Sequence, residues 1–382
     1  MLNVHIGHSA DIDLDVCVDE VIAQVGDVLR TARSAAALLF VAESLDHIDV
    51  VSRINRAFPG LKLVGCSSDG EASSVLGFQE DSILLIAFTS PDLHFAIGFG
   101  RDASVDSAAA SDRALRMIRD QIGDAAPRLC FVFVDSLLSL PDEGLRRVVS
   151  SLGPDCRVVG GAANPSSVNE STPVFFGDRV LSDSLVLLAV VGEVQTAVTA
   201  FSSWQPIGSP GRITKAEGSV IREINGRPAV EFYTRDLGVS AQMYIGVPLA
   251  LVDANGEMAL RAPLLHDVAE GSLRVASEVF EGQEVRVCYA TQDDIFDGAA
   301  RAAERTRRAF GDRDPAAVLF CSCVVRKMFL SLDVETEVER FKERFGQQVP
   351  VAGFYAFGEI GGATAAENLQ FRNQAIVALA VA

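Results

Sequence analysis

Apolar positions along the chain follow two rhythms, and the order of those rhythms occurs three times. Each copy opens with a short stretch that predicts a strand: NVHIGHS from Asn3, HFAIGFG from His94 and VRVCYAT from Val285. Helical spacing follows. Val21, Ile22, Val25, Val28 and Leu29 share one face in the first copy, as do Leu115, Ile118 and Ile122 in the second; alanine-rich residues 295–310 fill the place in the third. Next come apolar runs ending in small or polar residues: ALLFVAES to Ser44, LCFVFVDS to Ser136 and AVLFCSC to Cys323. A second helix then carries Val50, Val51, Ile54 and Phe58, or Leu145, Val148, Val149 and Leu152, or Val334, Val338, Phe341 and Phe345. Each copy continues into a glycine-bearing strand end (KLVGCSSDGE, RVVGGAANPS, PVAGFYAFGEIGG) and closes on a buried strand (SILLIAF, SLVLLAVV, AIVALAVA). Three agreements of this kind indicate duplication.

Residues 194–284 break the pattern. There Asn225-Gly226 reads as a tight turn feeding a short helix opened by Pro228. The Pro/Gly/Ser-rich WQPIGSPG beginning at Trp204 marks the expected boundary. This gives a module over residues 1–204 with two repeat units, and a module over residues 205–382 with a divergent half and the third unit. The predicted class is α/β to α+β, with internally repeated mixed sheets layered with helices.

Of the 382 residues 49% are hydrophobic, which excludes disorder as the dominant state. A net charge of −18 repels phosphate backbones and argues against nucleic acid as a partner. No apolar run approaches the ~20 residues of a membrane span, and MLNVHIGHSADIDLD lacks the features of a signal peptide. Seven cysteines, an odd number, fit reduced thiols. The expectation is a cytoplasmic protein without a membrane partner.

Candidate chemistry gathers at the glycine-bearing strand ends, where a missing side chain lets backbone approach a ligand. These are Gly65, Gly160-Gly161 and Gly353. Around the first stand Cys66, Ser67, Ser68 and Glu71; around the third, Tyr355 and Glu359; Ser44, Ser136 and Ser322 end the preceding strands. Taken singly, such residues are ordinary turn material. The recurrence of Gly70-Glu71 as Gly358-Glu359 lifts the pair above that reading. A glutamate so placed accepts from neighbouring N–H groups or from a ligand amine, and both uses fit.

LVGCSSDGE with its following strand, VIREINGRPAVEFYTRDLG, and PVAGFYAFGEIGG with its closing strand resemble, in that order, the FIST sensory domain family. The resemblance implies a cytoplasmic, non-enzymatic module that binds a small ligand and signals to a separate partner, a histidine kinase or a cyclic-di-GMP enzyme. A stand-alone branch binds haem and senses nitric oxide, and haem b is the cofactor that branch implies. Its iron needs an axial ligand in an apolar pocket. Of five histidines, His266 in ALRAPLLHDVAEG ranks first, and Arg261 upstream could pair with a propionate. His5 and His8 fall on opposite strand faces, His94 faces away from its apolar neighbours, and His47 sits at an exposed helix start. Other readings are an amino-acid sensor without haem, or an enzyme using Cys66 as nucleophile, for which no repeat-matched base is present. Cys321 and Cys323 read as packed thiols, Asp293-Asp294 as helix capping, and Trp204 as packing between modules.

Overall fold

A computed structural model describes residues 1–135, 142–163, 172–237, 245–252, 258–267, 269–362 and 371–382. The first unit runs β1 (Asn3–Ser9), α1 (Leu14–Thr31), β2 (Ala35–Ala42), α2 (His47–Ala57), β3 (Lys62–Ser68), β4 (Glu71–Ser73), β5 (Gly77–Gln79) and β6 (Ile83–Thr89). The second repeats it as β7 (His94–Arg101), α3 (Ser107–Ile122), β8 (Pro127–Val134), α4 (Asp142–Leu152), β9 (Arg157–Ala162), β10 (Val174–Phe176), β11 (Arg179–Leu181) and β12 (Ser184–Val191). Asp13, Asp46 and Asp106 start α1, α2 and α3 by accepting from their first free N–H groups.

The third unit opens with β13 (Thr196–Ser202) and is then interrupted. The insertion holds β14 (Gln205–Glu217), β15 (Val220–Ile224), β16 (Arg227–Pro228), α5 (Ala229–Leu237), β17 (Leu249–Val252), β18 (Met258–Arg261), β19 (Pro263–Asp267), β20 (Ser272–Val275) and β21 (Glu284–Tyr289). Then come α6 (Gln292–Phe310), β22 (Ala317–Cys323), α7 (Val324–Leu330), α8 (Thr336–Phe345), β23 (Val351–Ala356), β24 (Gly358–Ile360) and β25 (Ala375–Val381). This corrects one expectation: VRVCYAT opens no repeat unit. Its strand, β21, pairs with β14 and β17 inside the inserted sheet, and TAVTAFS takes the first place in the third unit by pairing with β25. The two segments have similar apolar content, and only their pairing partners distinguish them.

Each unit forms a mixed sheet of one order, β1-β6-β2-β3, β7-β12-β8-β9 and β13-β25-β22-β23, whose last two strands are parallel. The outer edge of each glycine strand is covered by another unit. β10 of the second pairs with β3, β24 of the third with β9, and β4 of the first with β23. Three donations in a ring leave none of these edges bare. Helices cover the outer faces, while the inner faces meet in one core containing Leu38, Phe40, Phe131, Phe133, Leu319, Cys321 and Phe354. Phe40 stacks on Phe354 at 4.0 Å between ring centres and meets Phe133 edge-on at 5.3 Å.

The inserted sheet is antiparallel, ordered β18-β17-β21-β14-β15-β20-β19, with a core of its own. Asn225 and Gly226, both at positive φ, make the β15–β16 turn as the sequence predicts. Trp204 packs with Ala250, Leu260 and Cys288 of the insertion and with Val324 and Tyr355 of the third unit; its Nε1 donates to the Gly246 carbonyl at 2.9 Å.

Candidate functional site

Register explains the glycines. Gly65 stands opposite Leu39, Gly160 opposite Val132 and Gly353 opposite Phe320, the same position in all three parallel pairs. A Cβ at Gly65 or Gly160 would lie 1.8 Å from the Leu39 or Val132 carbonyl oxygen, and one at Gly353 would enter the Phe320 ring at 2.5 Å. All three sit between two paired strands, so their place is close strand packing rather than open turns. Gly161 is equally confined, with Cys321 Sγ 2.8 Å from where its Cβ would be.

The donated strands carry the two glutamates to matching places. Glu71 lies opposite Phe354 and Glu359 opposite Gly161; the third equivalent is Val174, opposite Cys66. Opposed residues share a face, so all three turn toward the centre. Both carboxyl groups are wholly buried, and burial pushes each up to about 8.

Their surroundings differ. Glu71 accepts the Ser68 hydroxyl on one oxygen and the Ser82 hydroxyl on the other. Ser82 Oγ lies 3.0 Å from His8 Nε2, and His8 Nδ1 lies 2.8 Å from Ser73 Oγ. Ser73 Oγ already accepts the N–H groups of Val75 and Leu76, so its proton is free for His8 Nδ1. His8 then donates from Nε2 to Ser82, and Ser82 donates to Glu71. Burial lowers His8 to about 4, which keeps it neutral in this chain. Glu359 Oε2 accepts the Ala375 N–H at 3.1 Å, and the Cys323 thiol also bonds the carboxyl. Its Oε1 has no hydrogen-bond partner, nor has Gln374 Oε1 on the strand-end residue beside Ala375.

Other predicted residues lie elsewhere. Ser67 and Ser322 are buried without a hydroxyl partner, but strand alternation turns them away from the inward Cys66 and Cys321. The Cys66 thiol is pushed well up by burial and by Glu71, the opposite of an activated nucleophile. Cys321 and Cys323 are buried free thiols. Tyr355 donates to Glu337 Oε2 at 2.9 Å, and Arg326 grips Glu337 Oε1 through Nε at 2.8 Å and Nη2 at 2.6 Å. Sequence reading missed that wholly buried pair, although an arginine inside the apolar CSCVVRKMFL was its signal. Arg261 is buried; burial lowers it, while Asp142 and Glu278 favour its charge and Arg372 opposes it. Ser44 is exposed and bonds Asp81, and Ser136 lies outside the described residues. His47, expected in solvent, is half-buried against Phe175.

The residue ranked first as a haem ligand and the central apolar cavity lie apart. His266 is exposed on β19, whereas the apolar cavity at the centre, lined by Phe40, Phe133, Leu319 and Phe354 among others, holds about 30 Å³, room for one water. His8 is buried, but both of its ring nitrogens are engaged by serines. Among the described residues no three His, Cys, Asp or Glu side chains are grouped to hold a metal ion, and no helix is long and apolar enough to cross a membrane.

Residues 35–227 match the FIST N domain and residues 229–362 match the FIST C domain. The chain belongs to the FIST family. FIST domains are sensory domains of signal transduction. An uncharacterized protein of Mycobacterium tuberculosis H37Rv is 23% identical over 94% of this chain and 95% of its own length. One in Methanocaldococcus jannaschii is 24% identical over 67% of this chain, which spans about half (54%) of that relative. A solved cyanuric acid hydrolase from A. caulinodans aligns over 100% of this FIST chain and 99% of its own at 9% identity, with a TM-score of 0.34.

Proposed function

We propose that this FIST chain is the ligand-binding member of a signalling pair: a small polar ligand bearing an amine, of the amino-acid class, binds at Glu359, and a separate chain, a histidine kinase or cyclic-di-GMP enzyme, reads the change. One contrast carries the proposal. Of two glutamates in matched positions, Glu71 is bonded by a serine hydroxyl on each oxygen, while Glu359 Oε1 has no hydrogen-bond partner, and nor has Gln374 Oε1. Once Glu359 ionises, that oxygen is a buried acceptor without a donor, which costs about 1–3 kcal/mol, and a ligand N–H removes that cost. An ammonium group would also favour the ionised carboxyl, so such binding tightens as pH rises toward about 8. Because Glu359 is wholly enclosed, entry requires an opening of the surrounding elements. A ligand that favours one arrangement over another transmits that difference to a partner. The buried, high-pKa Cys66 favours binding over turnover.

Thermal unfolding of the full chain against a panel of amino acids at millimolar concentration tests this. At 100-fold excess over Kd a true ligand adds about 2.7 kcal/mol. That gain should vanish in Glu359→Gln and persist in Glu71→Gln. Equal stabilisation of both variants, or none in the wild type, removes the proposal. An intense violet absorption band in purified material would return haem to first place.

A further inference from the structure

A second part of the surface suits a ligand of opposite charge and does not depend on Glu359. α3 lies against β7, the edge strand of the second unit's sheet, and an open groove of about 520 Å³ runs there. Arg113 and Arg116 enter it from one face of α3, with Asp120 a turn further on; Arg101 and Asp102 come from the strand end, and Phe99 lies between.

Four arginines elsewhere in this acidic chain, Arg53, Arg147, Arg222 and Arg326, each have a carboxylate oxygen within 4.0 Å. Among the described residues, Arg101, Arg113 and Arg116 form no such ion pair. Arg101 and Arg113 are nevertheless held. Arg113 donates through Nη2 to the Arg101 carbonyl, and the guanidiniums of Arg101 and Arg179 stand 5.9 and 5.8 Å from the Phe99 ring centre. The edge of β7 adds a donor. Ile97 turns its N–H and carbonyl outward to Gln121, and Arg101 turns its carbonyl outward to Arg113. Phe99, two residues from each, has the same parity and presents its own N–H outward.

We propose that this groove binds an oligophosphate, either pyrophosphate itself or the phosphate chain of a nucleotide. Guanidinium forks match several oxyanions at once, and Arg101, Arg113 and Arg116 outnumber the two carboxylates of the groove, Asp102 and Asp120. The volume is that of a small-molecule site.

Calorimetry on the full chain at low salt, with sodium pyrophosphate and separately with ATP, decides the matter. Pyrophosphate should bind, and Arg113→Gln or Arg116→Gln should weaken it about tenfold or more. Arg344→Gln in the third unit and Glu359→Gln should leave it unchanged, which separates this site from the amine site. Tighter binding of ATP assigns a nucleotide, and equal binding assigns the phosphate chain alone. No binding of either compound at millimolar concentration overturns the proposal, as does binding that survives both groove substitutions. Capture of duplex DNA in place of pyrophosphate, lost in the same variants, overturns it in favour of nucleic acid.

Discussion

A carboxyl group enclosed by protein releases its proton late, because the charged form loses its water. Glu71 and Glu359 both do so, moving from 4.5 to about 8, while His8 moves the other way, from 6.5 to about 4. Between pH 4.5 and 8 the folded chain therefore holds two carboxyl protons that the unfolded chain gives up, and stability falls as pH rises. Below pH 6.5 the folded chain binds imidazole protons less readily than the unfolded chain at His8 and also at His47, whose burial lowers it too, so that contribution rises with pH. The two cancel in part up to pH 6.5, and above it the glutamates act alone. Urea unfolding from pH 5 to 8 should thus show stability declining, with the decline steepening above 6.5. Each uncompensated proton contributes about 1.4 kcal/mol per pH unit. Glu71→Gln should remove one proton's share of that slope; an unchanged slope would mean that Glu71 ionises in the fold.

At the scale of elements, the parallel pairs depend on backbone contact that no side chain can share. Gly65 and Gly160 are required by a neighbouring carbonyl 1.8 Å from the missing Cβ, and strand backbone in a three-sided core cannot retreat. Gly65→Ala should therefore cost about 3 kcal/mol or more. Gly26 in α1 provides the contrast: a Cβ there meets only the tip of Arg30, at 2.7 Å, and that side chain can swing aside. Gly26→Ala should be neutral or gain up to about 1 kcal/mol from helix propensity. Denaturant midpoints of the two variants test the difference, and similar losses in both would refute the packing account.

For the whole molecule, the triple order of elements was legible because strands buried on both faces are near-continuous apolar runs bounded by glycine. The matched Gly-Glu pairs were legible for the same reason. The exchange between units was not: β4, β10 and β24 are three residues each, and pairing that short is decided by tertiary packing. Nor was the difference between the two glutamates, because Ser82 and His8 reach Glu71 from 11 and 63 residues away in sequence. The ring of exchanged strands implies that no unit closes alone. A fragment of residues 1–194 would retain β10 on β3, but β9 would lose β24, and β4 would lose β23. Phe40 would also lose its stacked partner Phe354, opening the central core to water. Expressed alone, this fragment should show no cooperative melt, whereas co-expression with residues 195–382 should restore one near that of the intact chain. The cut falls between β12 and β13, where no strand is broken, so failure of the fragment reports lost closure rather than a damaged element. A fragment that melted cooperatively at the intact chain's temperature would show that the exchanged strands decorate self-sufficient units, and the coupling between ligand site and partner would then need a different carrier.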